Sequence, residues 1–331
     1  MDYSKFIGID VSKLTLDVEV LPDGKVLEGE NDEKGIKQLF HSLVKDYKVK
    51  LSEALFAFEY TGYYSYKLAV YLQEKGYPFV MIPGLELKRS LGITRGKSDK
   101  VDAGKIAEYA SLRKLQIVPT QLPEKEIEQM KRLLSLRDRL VSQRAGFKAS
   151  IGEAKRAIEK KEDPLFFKVQ EAMIKSFDQQ IDLLDTELLN VVQNQPMLQT
   201  QFDLIVSIKG VGAQTALYMI AVTHAFTKFA DWRKFACYAG TAPFPYQSGT
   251  SIRGKTKVSH LANKRAKSLL GNITGSAIQH NTEMKLYYQR RLAEGKNKMS
   301  TQNIIRNKLI ARIFAVVRRG TPYVEIMKYA A

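Results

Sequence analysis

The chain has one cysteine, one tryptophan, four histidines and ten prolines in 331 residues. A lone Cys237 excludes an intramolecular disulfide and a cysteine zinc cluster, and His41, His224, His260 and His280 are the only imidazoles available as ligands. No apolar run reaches the ~18 residues needed to cross a bilayer, and the order of a secretory signal, basic residues and then an apolar core, is missing after Asp2. A reducing cytoplasm with no membrane span is the expected setting. With 44% hydrophobic and 26% charged residues the chain is neither disordered nor low in complexity, and its length predicts two or three domains.

Acidic residues are scarce at one end. Residues 1–60 hold 8 Lys/Arg against 12 Asp/Glu, whereas residues 248–331 hold 17 Lys/Arg against 3 Asp/Glu. The whole chain carries a net +17, and the last quarter alone carries +14 of it. A basic surface that only aids solubility would not segregate in this way. Clustered cations that displace counterions from phosphates explain it, so a polyanionic partner for the C-terminal end is expected.

The patterning predicts three regions. Over 1–118 strands and helices alternate. A β-hairpin is expected from Phe6–Val20 and Lys25–Glu30, joined by the turn signal Pro22, Asp23 and Gly24. A helix bearing Ile36, Leu39, Phe40 and Leu43 follows, then an apolar strand over Ala54–Phe58. A helix over Tyr66–Lys75, a strand over Pro78–Ile82 and a helix over Asp99–Leu112 complete an α/β domain. Over 119–198 strand signals vanish. Phe177, Ile181, Leu184, Leu188 and Val191 recur at heptad spacing, Leu133, Leu136, Leu140, Phe147, Ala154 and Ile158 more loosely, and Asp163-Pro164 starts a new helix. A helical coiled-coil arm that dimerises is the reading. The region 199–331 is mainly α-helical and basic, interrupted at Ser207–Ala216 and again at Tyr238–Val258.

Four carboxylates stand out by setting. Asp10 closes the apolar strand FIGIDVS, and Glu59 lies in FAFEYTG, where an ionised carboxylate costs several kcal/mol unless it is paired or metal-bound. Asp99 and Asp102 in KSDKVDA stand three residues apart at a helix start and share one face. Each has a plain structural use as turn, cap or ion-pair partner. Together they follow the order that a ribonuclease-H-like fold uses for a two-metal site, whose hard oxygen ligands suit Mg²⁺ or Mn²⁺. At an effective dielectric of 20, two like charges about 4 Å apart repel by about 4 kcal/mol, so the converged set needs cations.

In SIKGVGAQTA, Gly210 and Gly212 permit a helix-hairpin-helix turn that presents backbone amides to phosphate, or a simple packed connection between helices. The loop YAGTAPFPYQSGTSIRG carries Ser248 into a basic run of Arg253, Lys255, Lys257, Lys264, Arg265 and Lys267. A hydroxyl placed there either contacts phosphate or attacks it. Nearby hydroxyls at Thr250, Ser251 and Ser259 offer the same chemistry.

IGIDVSK, FAFEYTG, KSDKVDAGKIA, SIKGVGAQTA and YAGTAPFPYQSGTSIRGK, in this order, resemble the DEDD insertion-sequence transposases of the IS110 type, which act as bridge-RNA-guided recombinases. The resemblance spans nearly the whole chain and implies a RuvC-like domain, a coiled coil and a C-terminal transposase domain. It implies that Asp10, Glu59, Asp99 and Asp102 hold Mg²⁺ and that Ser248, before Gly249, cleaves DNA through a covalent phosphoserine. It implies donor and target DNA chosen by a structured RNA, and an active site shared between protomers of a homodimer or higher oligomer. One departure is Val258-Ser-His-Leu-Ala-Asn263, where many members carry Ile-Ser-Lys-x-Gly-Asn. The rival readings are a junction-resolving metal nuclease using water, with Ser248 only positioning phosphate, and a non-enzymatic nucleic-acid-binding protein.

Overall fold

The computed structural model describes residues 3–90, 99–249 and 251–325, with only the backbone of Asp99, Lys100, Ser248 and Ile252. The chain divides into two compact units, Met1–Leu122 and Pro123–Ala331. Among the described residues no helix is long and apolar enough to cross a membrane.

The first unit is built on a five-stranded mixed sheet. Strands β1 (Lys5–Val11), β2 (Thr15–Leu21) and β3 (Lys25–Glu30) form an antiparallel meander, and β4 (Ala54–Glu59) and β5 (Phe79–Ile82) add in parallel, giving the order β3-β2-β1-β4-β5. The stretch Phe6–Val20 is therefore two strands rather than one arm of a hairpin. The chain reverses at Ser12, whose amide donates to the Thr15 carbonyl at 3.0 Å. That reversal uses neither glycine nor proline; its one mark is the polar pair Ser12-Lys13, across which the apolar positions shift from odd to even numbers.

Helices α1 (Glu33–Lys45) and α2 (Tyr63–Glu74) cover one sheet face, packing Ile36, Leu39, Phe40, Leu43, Leu68 and Leu72 against Ile7, Ile9, Val18, Phe56 and Phe58. Helix α3 (Gly84–Ser90), absent from the sequence reading, and α4 (Asp99–Leu112) lie on the other face over Phe6, Leu55, Ala57 and Ile82. Both faces of β4 are thus covered, which is why its sequence is apolar without alternation. The closest approach is at Gly8, where a Cβ would stand 2.1 Å from the Ala103 carbonyl oxygen. Only glycine lets α4 settle on β1 there.

The second unit is helical apart from one ribbon. Helices α5 (Lys125–Ala157) and α6 (Pro164–Gln193) form a long antiparallel pair, and Asp163 caps α6 by accepting from the Phe166 amide at 3.1 Å, with Pro164 in the first turn. Much of the seam of α6 is buried within the chain, with Phe177 and Leu184 half-buried. Ile181 and Leu188 are 3% and 0% exposed, the Phe177 ring packs tilted on Phe147 at 5.6 Å, and Arg137 holds Asp185 at 2.5 and 2.9 Å. On α5 the buried positions are Ile127, Met130, Leu134 and Ile151, while Leu136 is exposed, so the looser stripe read from the sequence is displaced.

Helices α7 (Pro196–Val206), α8 (Ala213–Thr223), α9 (Trp232–Tyr238), α10 (Lys264–His280), α11 (Thr282–Ala293) and α12 (Lys298–Arg319) complete this core around Leu204, Ile220, Phe235, Leu270 and Ile310. Between α9 and α10 the chain forms an antiparallel ribbon, β6 (Pro243–Ser248) and β7 (Ile252–Val258). This segment reads as a loop because of its prolines and glycines. Pro245 falls where the register shifts between Phe244 and Tyr246, a place where a missing amide costs the ladder nothing.

Candidate active site and nucleic-acid interface

In the first unit the register brings two of the four carboxylates together. The parallel β1/β4 pairing runs to Ile9 opposite Phe58, so Asp10 and Glu59 follow at the same level on neighbouring strands. Both alternate onto the face that α4 covers, in line with Gly8 and Phe6 on β1 and Ala57 and Leu55 on β4. Asp102 is on α4, half-buried, and bonded to Lys105 Nζ at 2.9 Å. The backbone places Asp99 at the first position of α4, and its side chain lies outside the described residues.

Glu59 does not sit in a closed apolar setting as its strand suggested. It is half-buried at the strand end, has no ion pair among the described residues, and rests on Gly84, where a Cβ would stand 2.1 Å from Oε1. Two further carboxylates share this face and escaped the sequence reading. Asp17 lies directly across from Asp10 and is 6% exposed, and Glu19 lies across from Gly8. Glu19 packs on α4 at Gly104, where a Cβ would meet Oε2 at 2.4 Å. The signal was the alternation TLDVEV, whose polar members point away from the α1/α2 core once β2 is recognised as a separate strand. Deeper on the same side, Tyr109 donates to Glu86 at 2.5 Å and its hydroxyl is pushed up to about 12, by burial first and by this bond second.

These residues suit a divalent cation in donor chemistry, being carboxylate oxygens on one sheet face. Among the described residues no three of them converge as ion ligands would. Ligation by Asp102 requires that it exchange Lys105 for the cation.

In the second unit Ser248 is the last paired residue of β6, opposite Ile252, at the tip of the ribbon beside Gly249, whose φ is +55°. The Ser248 side chain and all of Thr250 lie outside the described residues. Arg253, Lys255 and Lys257 alternate along β7 and are exposed, as is Lys264 at the start of α10. Arg265 differs: its guanidinium is held by Asp138 of α5 at 2.5 Å, so it joins two helices instead of offering a free charge. Burial pushes the Asp138 carboxyl up despite the pull of Arg265 and Arg137. Lys267 is half-buried on α10.

The two roots of the ribbon are fixed to the helices. At one root, buried Thr241 donates from Oγ1 to Asn307 Oδ1 at 2.8 Å, and its carbonyl accepts from Asn303 and Asn307 of α12 at 2.9 and 3.0 Å. At the other, Asn263 caps α10 through the Ala266 amide at 2.8 Å, accepts from Tyr218 at 2.9 Å and donates to Tyr238 at 2.6 Å. Burial raises the hydroxyl pKa of both tyrosines, which keeps both protonated, Tyr218 as the donor to Asn263 and Tyr238 as the acceptor from it. The roots touch at Gly240, in the left-handed region at φ +65°, where a Cβ would stand 2.2 Å from the Ala262 methyl. Ala262 fills the position at which the sequence departs from the family pattern, and Gly240 makes the room for it. A rigid base with a projecting tip follows from these contacts.

Gly210 has φ +95° and a Cβ on it would meet Ala277 of α10 at 2.7 Å, so it serves the packing of α10. Gly212 is exposed at the start of α8 with open space around it.

A mixed sheet with carboxylates at adjacent strand ends, and a helical unit carrying a basic ribbon, agree with what the comparisons show along the chain. A DEDD transposase model of the IS110 type matches residues 7–154, and a model of the Transposase IS116/IS110/IS902 family matches residues 203–289. The class is therefore that of DNA-recombining enzymes. The chain belongs to the IS110-type transposase family. It is similar to the pilin gene-inverting proteins of Moraxella lacunata, 25% identical over 325 residues that cover 96% of this chain and 97% of the relative, and of Moraxella bovis, 24% identical over the same shares. An uncharacterized 43.6 kDa protein of insertion element IS110 from Streptomyces coelicolor is 31% identical over 121 residues, 36% of this chain and 29% of that protein.

Proposed function

We propose that the protein is an RNA-guided DNA recombinase that cleaves a strand with Ser248 and a carboxylate-held divalent ion. The observation that carries this reading is the placement of Ser248 at the tip of a basic ribbon whose two roots are bonded to helices. A tip of this kind reaches a backbone phosphate, and Arg253, Lys255 and Lys257 neutralise the strand around it. The matched relatives named for gene inversion support rejoining as well as cutting.

The first unit is ribonuclease-H-like in this reading. Its antiparallel meander followed by two parallel strands, with Asp10 and Glu59 at adjacent strand ends, supports the assignment. Asp10, Glu59, Asp99 and Asp102 would hold Mg²⁺ or Mn²⁺, which supplies charge neutralisation and polarisation at the scissile phosphate. Ser248 Oγ forms a bond to phosphorus as the sugar oxygen leaves, and its proton passes to solvent or to a nearby base. Because the ester conserves the phosphodiester, the reverse attack rejoins strands. A structured guide RNA and the two DNA substrates are the partners. The protein works as a homodimer or higher oligomer, for which the exposed apolar stripe of Leu165, Val169 and Met173 on α6 offers a surface.

The test is adduct formation on a nicked substrate. Wild type is expected to form a denaturant-resistant DNA adduct that mass spectrometry places on Ser248, and Ser248→Ala to bind DNA and RNA but form none. Full cleavage by Ser248→Ala with no adduct in either protein would establish hydrolysis by water instead.

A further inference from the structure

A cleft of about 720 Å³ opens between the ribbon and the Cys237 end of α9, a volume that fits one nucleotide-sized ligand. Its walls combine features that a structural surface has no use for together. Phe244 and Tyr246 are 46% and 66% exposed although both are aromatic, and Lys255 and Lys257 stand at its mouth. Among the described residues no carboxylate lines it.

The Tyr246 ring is held in place by what lies opposite. Its cross-strand partner is Gly254, and a Cβ there would stand 2.8 Å from Tyr246 Cδ1. The missing side chain lets the ring lie against β7, so one face is supported and the other is free. A supported ring beside lysines binds a base by stacking and its phosphates by charge, and stacking requires that the base leave its own helix first. Ser248 follows Tyr246 by two residues, about 7 Å along the strand.

We propose that this cleft receives one unstacked DNA base next to the phosphate that Ser248 attacks, with Phe244 and Tyr246 as the stacking surface and Lys255 and Lys257 on the flanking phosphates. The choice of DNA over RNA rests on the recombinase reading, because the attacked strand is DNA. Holding that base out of the duplex exposes the neighbouring phosphodiester and fixes it against the tip of the ribbon.

The one cysteine of the chain lines the cleft and is exposed, so it reports occupancy directly. The experiment measures the alkylation rate of Cys237 in the full chain carrying Ser248→Ala, with a thymidine oligonucleotide, the matching uridine oligonucleotide and a paired duplex as probes. Single-stranded DNA is expected to slow alkylation at least about fivefold at saturation, and RNA and duplex much less. Phe244→Ala with Tyr246→Ala should weaken single-strand binding roughly 10- to 100-fold with the salt slope unchanged, while Tyr246→Phe restores it. Lys255→Ala with Lys257→Ala should instead lower the slope of log affinity against log salt by about 1.4. Equal protection by duplex, protection by RNA in place of DNA, or full affinity in the double alanine variant would overturn the proposal. Protection of the Ser248→Ala protein by DNA, together with failure of the wild type to form a Ser248 adduct on a nicked substrate, would retain the base pocket and fall on the recombinase reading alone.

Discussion

In the first unit the charged groups of interest are carboxylates on a covered sheet face, while in the second they are cations on an exposed two-stranded ribbon. Each arrangement suits the ligand proposed for it. A small divalent ion needs several oxygens brought close despite their repulsion, which calls for rigid adjacent strands and a helix start. A polyanion is long and already carries its charge, so spread cations on a projecting element serve it better. The comparison also explains where glycine is required. Gly8 and Gly104 let α4 approach the sheet and its carboxylates, whereas Gly240 and Gly254 hold a ribbon root and an aromatic ring.

The largest test of this division removes one carboxylate. Asp10→Asn should slow adduct formation by roughly a thousandfold, as expected for loss of a positioned ion worth several kcal/mol, and should leave single-stranded DNA affinity within about twofold. It should also abolish the rise in melting temperature that Mg²⁺ or Mn²⁺ brings to wild type. An equal metal shift in both proteins would remove the carboxylate face from the chemistry.

Next in size is the helical pair. Ile181→Lys with Leu188→Lys places two ammonium groups at positions 3% and 0% exposed, each losing about 2 to 5 kcal/mol. Because α5 covers this seam within the chain, the expected result is faster hydrogen exchange throughout the second unit with protection of the sheet unchanged. Clean dissociation to folded monomers would show instead that the seam is an intermolecular one.

The smallest effect separates the units by pH. The His224 imidazole is pushed down to about 3, by burial first and then by Lys131 and Lys228. Its pKa is lower folded than unfolded, so the stability it contributes is present in full above about 6.5, its ordinary value, and is lost as pH falls toward 3. Hydrogen exchange should therefore accelerate around α8 between pH 6.5 and 4 in wild type and less so in His224→Asn, which tolerates the left-handed φ of 50° at that site. Identical pH profiles for the two proteins would assign the acid response to other groups.

Much of the fold was legible where a local rule had one solution. Asp163-Pro164 specified the start of α6 by cap and ring, and Ile36, Leu39, Phe40 and Leu43 specified α1 by period. The meander and the ribbon were not legible for opposite reasons. The Ser12 reversal lacks the residues that mark turns, and the ribbon has so many of them that its alternation was obscured. Arg265 shows the same limit at the site. Its place in a basic run suggested phosphate, and only the packing of α5 against it revealed Asp138 as its partner.

The sequence by itself determined which residue types are available: four spaced carboxylates, a hydroxyl before glycine, and a basic C-terminal quarter that a polyanion explains most simply. It determined α1, α2, α4, the long helical pair and the strands β4 and β5 too, because their periods and caps are local. The tertiary structure alone decided that Asp10 and Glu59 stand side by side, that Asp17 and Glu19 share their face, that Ile181 and Leu188 of the heptad seam are buried within the chain, and that Tyr246 lies over Gly254. Those are pairings between segments distant in the chain, set by strand register and by how closely backbones approach, and no local pattern encodes either quantity.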